Sequence, residues 1–431
     1  MDRTRERLDD HGPGVGDDTV TEYLRLGLRF GRVVDGFVDA FTGDADLRRQ
    51  VDDEPAPDPL ALSAQATELS RRVPDAGLGA ARTDYLTAHL DALAVAGRRL
   101  AGEPMSFIDE VRSYFQVDID LVDTDVYAAA HDEIGALLGG SGPVRDRLRA
   151  ARETEACPPE LVETAVRAVA AALRERVAGP TGIDALPEHI DFEIARDVAW
   201  SGFNYYLGGF RSRVAVNADV GHRMSQFGVL VAHECYPGHH TEHCRKEDLL
   251  VDRGGEREHQ IFLVNTPQCV MAEGLGDLAL TAAIGPGWGG WLAEVLDGIG
   301  PAFDPELVEA LEVASRPLNT VRQNAAILLH DRGADLEEIV DYQQRWGLAD
   351  EKQARQRLRF LTDPLWRAYT STYVEGDRLL RPWLAARPPG QSALDRFRRL
   401  LDEPLTPRVV QRELADHTDR VNEDRHGSGP A

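Results

Sequence analysis

Apolar positions recur at three- and four-residue steps along most of the chain, the period of a helix with one buried face. On that pattern TEYLRLGLRFGRVVDGFVDAF (21–41) and LVETAVRAVAAALRERV (161–177) are predicted helices. MSQFGVLVAHE (224–234) and CVMAEGLGDLAL (269–280) are more apolar still and read as buried helices. Two short segments instead alternate with a period of two, HIDFEIA (189–195) and RVAVNAD (213–219), on either side of the aromatic loop WSGFNYYLGGF (200–210). The expected architecture is mainly α: a large helical domain with a small antiparallel β-ribbon formed by these two segments. Proline and glycine punctuate the pattern at 52–59, 139–143, 179–182, 285–290 and 386–391. A boundary at GPTG (179–182) separates an N-terminal helical region, 1–180, from a region 181–431 that carries the chemistry, with helices of both sharing one core.

Composition narrows the classes of partner. The chain has 431 residues, 42% of them hydrophobic and 28% charged, the profile of a globular protein with an ample core. Its 48 basic and 73 acidic residues leave a net charge of -25, which argues against nucleic acid or an anionic membrane as partner. The opening MDRTRERLDDHGPG has no apolar stretch of a secretory signal, and no run approaches the ~20 apolar residues of a membrane span. Four cysteines are too few for a disulfide scaffold, so a reduced, cytoplasmic protein is expected. Cys235, Cys244 and Cys269 fall in the region richest in histidine, where small buried side chains are the simpler reading.

That region is VAHECYPGHHTEH (231–243), with four histidines and two glutamates. His233-Glu234 opens like the zinc-protease helix H-E-x-x-H, in which histidines at i and i+4 hold the metal and the glutamate serves as general base. Here Pro237 occupies the i+4 position. Either Pro-Gly is a two-residue insertion and His239 is the second ligand, or a kinked helix brings His240 round to the face of His233; the pattern favours His239 without excluding His240. Glu273 and Asp277, four apart on an apolar helix, share one face. A buried carboxylate there is costly unless it binds something. Glu273 completes a two-His, one-Glu set, and Asp277 is placed to orient a ligand histidine.

HECYPGHH followed by AEGLGDLA resembles the DUF885 family of zinc hydrolases, whose signature runs H-E-x-x-P-G-H-H and then E-G-x-x. The similarity spans residues ~200–380. It continues in NAAILLHDRGADLEEIVDY (324–342), with His330 in the matching place of a D-x-x-L-H segment, and in STYVEG (371–376), which keeps Tyr373 and Gly376. Three positions depart: Glu242 stands where the family more often has Gln, Leu275 where an aromatic is usual, and PLWRAYTST (364–372) where P-G-Q is usual.

The resemblance implies one zinc ion and a small peptide or amide substrate, with Tyr373 and His330 as oxyanion donors beside the general base Glu234. Asn217 on the strand RVAVNAD is a candidate for fixing an extended peptide added to that strand, Tyr205 and Tyr206 for walling the pocket, and Arg359 for holding a substrate carboxylate. Two alternatives stand beside a peptidase: hydrolysis or lysis of a non-peptide metabolite, and a non-catalytic metal-binding protein. Two histidines and a carboxylate suit iron or manganese as well as zinc.

Overall fold

Helix starts are written into the sequence as acidic caps. Asp44, Asp58, Asp123 and Asp304 each accept a hydrogen bond from an amide of the first turn that follows. Asp335 and Asp350 complete reciprocal capping boxes with Glu338 and Gln353. Each cap stabilises its helix by about 1 kcal/mol, and together they employ part of the acidic excess. The computed structural model describes residues 15–196 and 202–427, with side chains as far as residue 420. It is mainly α, with two small sheets.

The segment 21–41 does not stay helical throughout. The first helix, Val15–Val33, ends ahead of Gly36, whose φ of 82° is left-handed. Residues Val38–Phe41 then form strand β1, antiparallel to β5 (Ile261–Leu263), which lies more than 200 positions away. Local periodicity carries no trace of such a pairing.

The three-stranded sheet has the order β2-β4-β3, from β2 (His189–Ala195), β3 (Gly202–Gly208) and β4 (Arg211–Asn217). The two alternating segments do pair, but in parallel. The antiparallel partner of β4 is the aromatic segment itself, which is a strand from Gly202 on and a loop only at Gly209-Phe210; Trp200 and Ser201 lie outside the described residues. Gly208 and Gly209, both at positive φ, supply the tight reversal between β3 and β4.

The helix Val162–Thr181 runs through Gly179-Pro180 and stops at Gly182, which takes the left-handed cap position. One continuous core extends from Val20 to Val410 and draws side chains from both sides of residue 180. At its centre the helices Pro267–Ala283 and Thr370–Ala385 meet at Gly274 and Gly376. A Cβ on Gly274 would lie 2.7 Å from the Gly376 backbone, so only glycine permits this approach. Among the described residues no helix is long and apolar enough to cross a membrane.

Candidate metal centre

His233 and Glu234 end the helix Gln226–Glu234, whose Phe227, Val231 and Ala232 are buried. The helix stops because Cys235 leaves helical dihedrals and Pro237, after a cis bond, has no amide to donate. Gly238 then turns the chain back over the helix end, its amide donating to the Ala232 carbonyl at 2.9 Å. A Cβ on Gly238 would fall 1.9 Å from the His233 carbonyl oxygen, so the reversal requires glycine. A new helix, His239–Lys246, begins at the next residue. The Pro-Gly insertion thereby sets the His239 ring against that of His233, perpendicular at 87° with centroids 4.6 Å apart.

Glu273, on helix Pro267–Ala283, joins these two rings, and one ligand atom from each of the three lies within 4.8 Å of the others. Their outer atoms are held. Asp277 Oδ1 is 3.2 Å from His233 Nδ1, which fixes the tautomer that leaves Nε2 its lone pair. The Tyr369 hydroxyl donates to Glu273 Oε1 at 2.5 Å. Gly276 lets the His233 ring lie flat on the helix, since a Cβ there would meet ring atoms at 2.6 Å. The inner atoms, His233 Nε2 and Glu273 Oε2, face each other at 3.2 Å. They form a buried ion pair when His233 is charged, and Oε2 has no hydrogen-bond partner. A cation placed between them would satisfy both atoms, so this donor set fits a zinc-like ion.

The field agrees. Burial opposes charge on His233, yet Asp277 and Glu273 outweigh it and hold its pKa well above the ordinary value. Burial and the His233 charge likewise oppose charge on His239, but Glu242, Glu273 and Glu234 prevail and raise its pKa. Burial alone would lift the Glu273 carboxyl, but the two imidazoles and the Tyr369 hydroxyl hold it low. A pocket that draws protons onto two buried imidazoles is one that attracts a cation. A second trio, Glu256, Glu258 and His259, lacks this character, because Arg82 grips Glu258 with two hydrogen bonds at 2.6 and 2.7 Å.

Glu234 sits beside the trio, its main-chain carbonyl held by Asn204 Nδ2 at 2.7 Å. Burial first, then Glu273 and Asp277, raise its carboxyl pKa against the pull of the two histidines. The Tyr373 ring packs on Tyr369, centroids 5.9 Å apart, and the Arg322 guanidinium stands 5.6 Å from its centre. Burial and then the charges of Glu273, Asp277 and Glu234 push its pKa well up, so the hydroxyl keeps its proton.

Other sequence candidates fall elsewhere. His240 is fully buried, with Nδ1 2.8 Å from Ser212 Oγ and Nε2 3.0 Å from Glu188, so its ring fastens this helix to the sheet. His330 stacks on Phe107 and bonds the Leu361 carbonyl at 2.8 Å, while neighbouring Asp331 accepts from the Phe107 and Ile108 amides. Its segment is a clamp between helices. Asn217 caps the turn after β4, and β4 is the central strand, so it has no edge for an added peptide. Tyr206 stacks on His243 and bonds Glu247 on the face of β3 away from Tyr205. Tyr205 lies under the Arg213 guanidinium, 4.5 Å away, where the charge of Asp39 still reaches it. Arg359 is exposed on helix Glu351–Thr362. All four cysteines are free and buried, and burial holds Cys235 far from a thiolate.

Two residues escaped sequence reasoning. Tyr369 lies within PLWRAYTST, the stretch that departs from the family pattern. Asp39, on β1, has its carboxyl pushed up to about 6 by burial, eased by His239 and raised further by Glu273 and Glu234. Only the β1–β5 pairing brings it here, and no motif marks it.

The fold has a solved counterpart. The crystal structure of a "putative lipoprotein" from Colwellia psychrerythraea superposes with a TM-score of 0.52 at 16% identity. The match covers 83% of this chain and 66% of that one, so the chain spans just under two thirds of its counterpart's length. At that identity the likeness is one of fold. No protein-family model and no curated protein matches the sequence.

The geometry gives two expected results. Gly276→Ala drives a methyl into the His233 ring and is expected to weaken zinc binding about 10- to 100-fold in a chelator competition, the scale of a disturbed ligand support. His240→Ala is expected to keep full metal content and lower stability by about 2–4 kcal/mol in denaturant unfolding, since it leaves buried Ser212 and Glu188 short of a partner.

Proposed function

We propose that this chain is a zinc-dependent hydrolase of a peptide or amide bond, related to the DUF885 family. The observation that carries the reading is the trio His233, His239 and Glu273, whose ligand atoms converge within 4.8 Å of one another, with Glu234 alongside. Three protein donors rather than four suit a catalytic site better than a closed structural one.

Zinc, when bound by the trio, would supply Lewis acidity and lower the pKa of a water molecule. Glu234 would accept the proton of the attacking water and return it to the departing amine. The Tyr373 hydroxyl, kept protonated by its surroundings, would donate to the oxyanion that develops on the carbonyl. Asp277 and Tyr369 act through the ligands they hold, fixing the His233 ring and the Glu273 carboxylate. Tyr205, half-buried and within reach of the field of Asp39, is the remaining wall candidate.

Leu275 is buried in the core, so its departure from the family pattern changes packing rather than the pocket. The test is turnover of dipeptides, aminoacyl amides, non-peptide amides and esters by protein with and without added zinc. Zinc-dependent release of amine from one of the amides is expected. Turnover that survives complete chelation would reject the reading.

A further inference from the structure

A cavity of about 1080 Å³ borders the helix that carries His233 and Glu234. Its wall includes Gln226 and Val229, which lie one to two turns before His233 on the same helix. It also includes Arg322, whose guanidinium faces the Tyr373 ring. The cavity is also lined by Arg152 from helix Val144–Thr154, Arg357 from helix Glu351–Thr362, and Arg223 from the loop ahead of Gln226.

These guanidinium groups are close enough to repel one another. Burial first, then Arg223 and Arg357, bring the Arg152 pKa down to about 10. Burial first, then Arg322, do the same to Arg357, which reaches cavity water but has protein on its other sides. Among the described residues neither Arg152, Arg322 nor Arg357 makes an ion pair, and Arg152 Nε is buried without a partner. Carboxylates are present on the wall but committed. Glu155 takes Arg223 and the Ser225 amide, Glu312 takes Arg316, Glu351 takes Arg355, Asp146 and Glu153 lie 3.6 and 4.0 Å from Arg149, and Asp304 and Asp350 cap helices. In a chain with 73 acidic residues, three cations left unneutralised at one cavity form a receptor for an anion.

We propose that this cavity is the anion subsite of the enzyme: Arg152, Arg322 and Arg357 receive a carboxylate or phosphate of an acidic small substrate whose scissile bond lies at the metal centre. The placement of the scissile bond rests on the hydrolase reading; the anion site itself does not. Arg322, nearest Tyr373, meets the part of the substrate next to that bond, and Arg152 and Arg357 meet its far end. Substrates with a neutral far end are excluded because they would leave the arginines unpaired.

The test is calorimetric binding of glutarate, its uncharged diamide and inorganic phosphate to the full chain, wild type and variants. None of these probes needs turnover. Glutarate or phosphate is expected to bind wild type, with affinity falling about ten-fold or more in Arg152→Gln and in Arg357→Gln and unchanged in Arg71→Gln, a surface control away from the cavity. Preference for glutarate assigns a carboxylate, and preference for phosphate a phosphoryl group. Arg357 is exposed, so its variant is expected to fold, and unchanged thermal unfolding checks this. Equal binding of the diamide, no weakening in the two cavity variants, or no binding of either anion would overturn the subsite. Failure of the hydrolase reading would appear separately, as absent zinc-dependent turnover with anion binding intact.

Discussion

His239→Ala is expected to lose zinc, while His240→Ala, one position on, keeps it. Binding free energies of ~10–16 kcal/mol for structural zinc, shared over four donors, give roughly 3 kcal/mol for each, or about 100-fold in affinity or more. His233→Ala and Glu273→Ala are expected to match His239→Ala. Adjacent histidines differ this much because Gly238 returns the chain directly onto the helix end. The first residue of the new helix then meets His233, and the next is turned by about 100° toward Ser212 and Glu188. Elemental analysis of the purified variants reads the outcome. Equal zinc in His239→Ala and wild type would disprove the assignment of the trio.

The second large effect is expected at Glu234. Glu234→Gln keeps the side chain's shape and leaves all three ligands in place, so metal content stays at the wild-type level. It removes the proton acceptor, and kcat on an amide identified from the panel is expected to fall about 10²–10⁴-fold, the usual contribution of a general base, with KM little changed. Tyr373→Phe is expected to cost less, about 10²-fold in kcat, because it removes one oxyanion donor of a set. A full rate in Glu234→Gln with zinc bound would move the base elsewhere, and Asp39 would be the next residue to change.

The helices and their starts are legible in the chain because both depend on neighbours three or four positions apart: an apolar stripe buries, and an aspartate or serine satisfies the first free amides. The same local logic explains the candidate centre in part. Glu273 and Asp277 were visible because their four-residue spacing puts them on one side of a helix, His233 and Glu234 because they open a known metal-site motif, and His239 because Pro237-Gly238 lengthens that motif's spacing by two residues. Features that depend on a distant partner leave no such local trace. The β1–β5 pairing, the parallel register of β2 with β4, and the arrival of Asp39 beside His239 are set by contacts between segments that carry no mutual signal. His330 matched a pattern and was assigned to the oxyanion, but the Leu361 carbonyl and Phe107 hold it in a helix contact. Arg359 is exposed on its helix, and the arginines that share the cavity come from three helices and a loop that no local pattern links.

By itself, then, the sequence determined a mainly helical chain with a histidine-glutamate motif at the end of a buried helix, because helical burial and capping act within a few residues. The tertiary structure alone set His239 rather than His240 beside His233 and Glu273, brought Tyr369 to Glu273, closed both edges of β4, and gathered Arg152, Arg322 and Arg357 around one cavity. Those outcomes depend on where a buried charge or ring finds its partner in space, and such partners lie tens to hundreds of residues away along the chain.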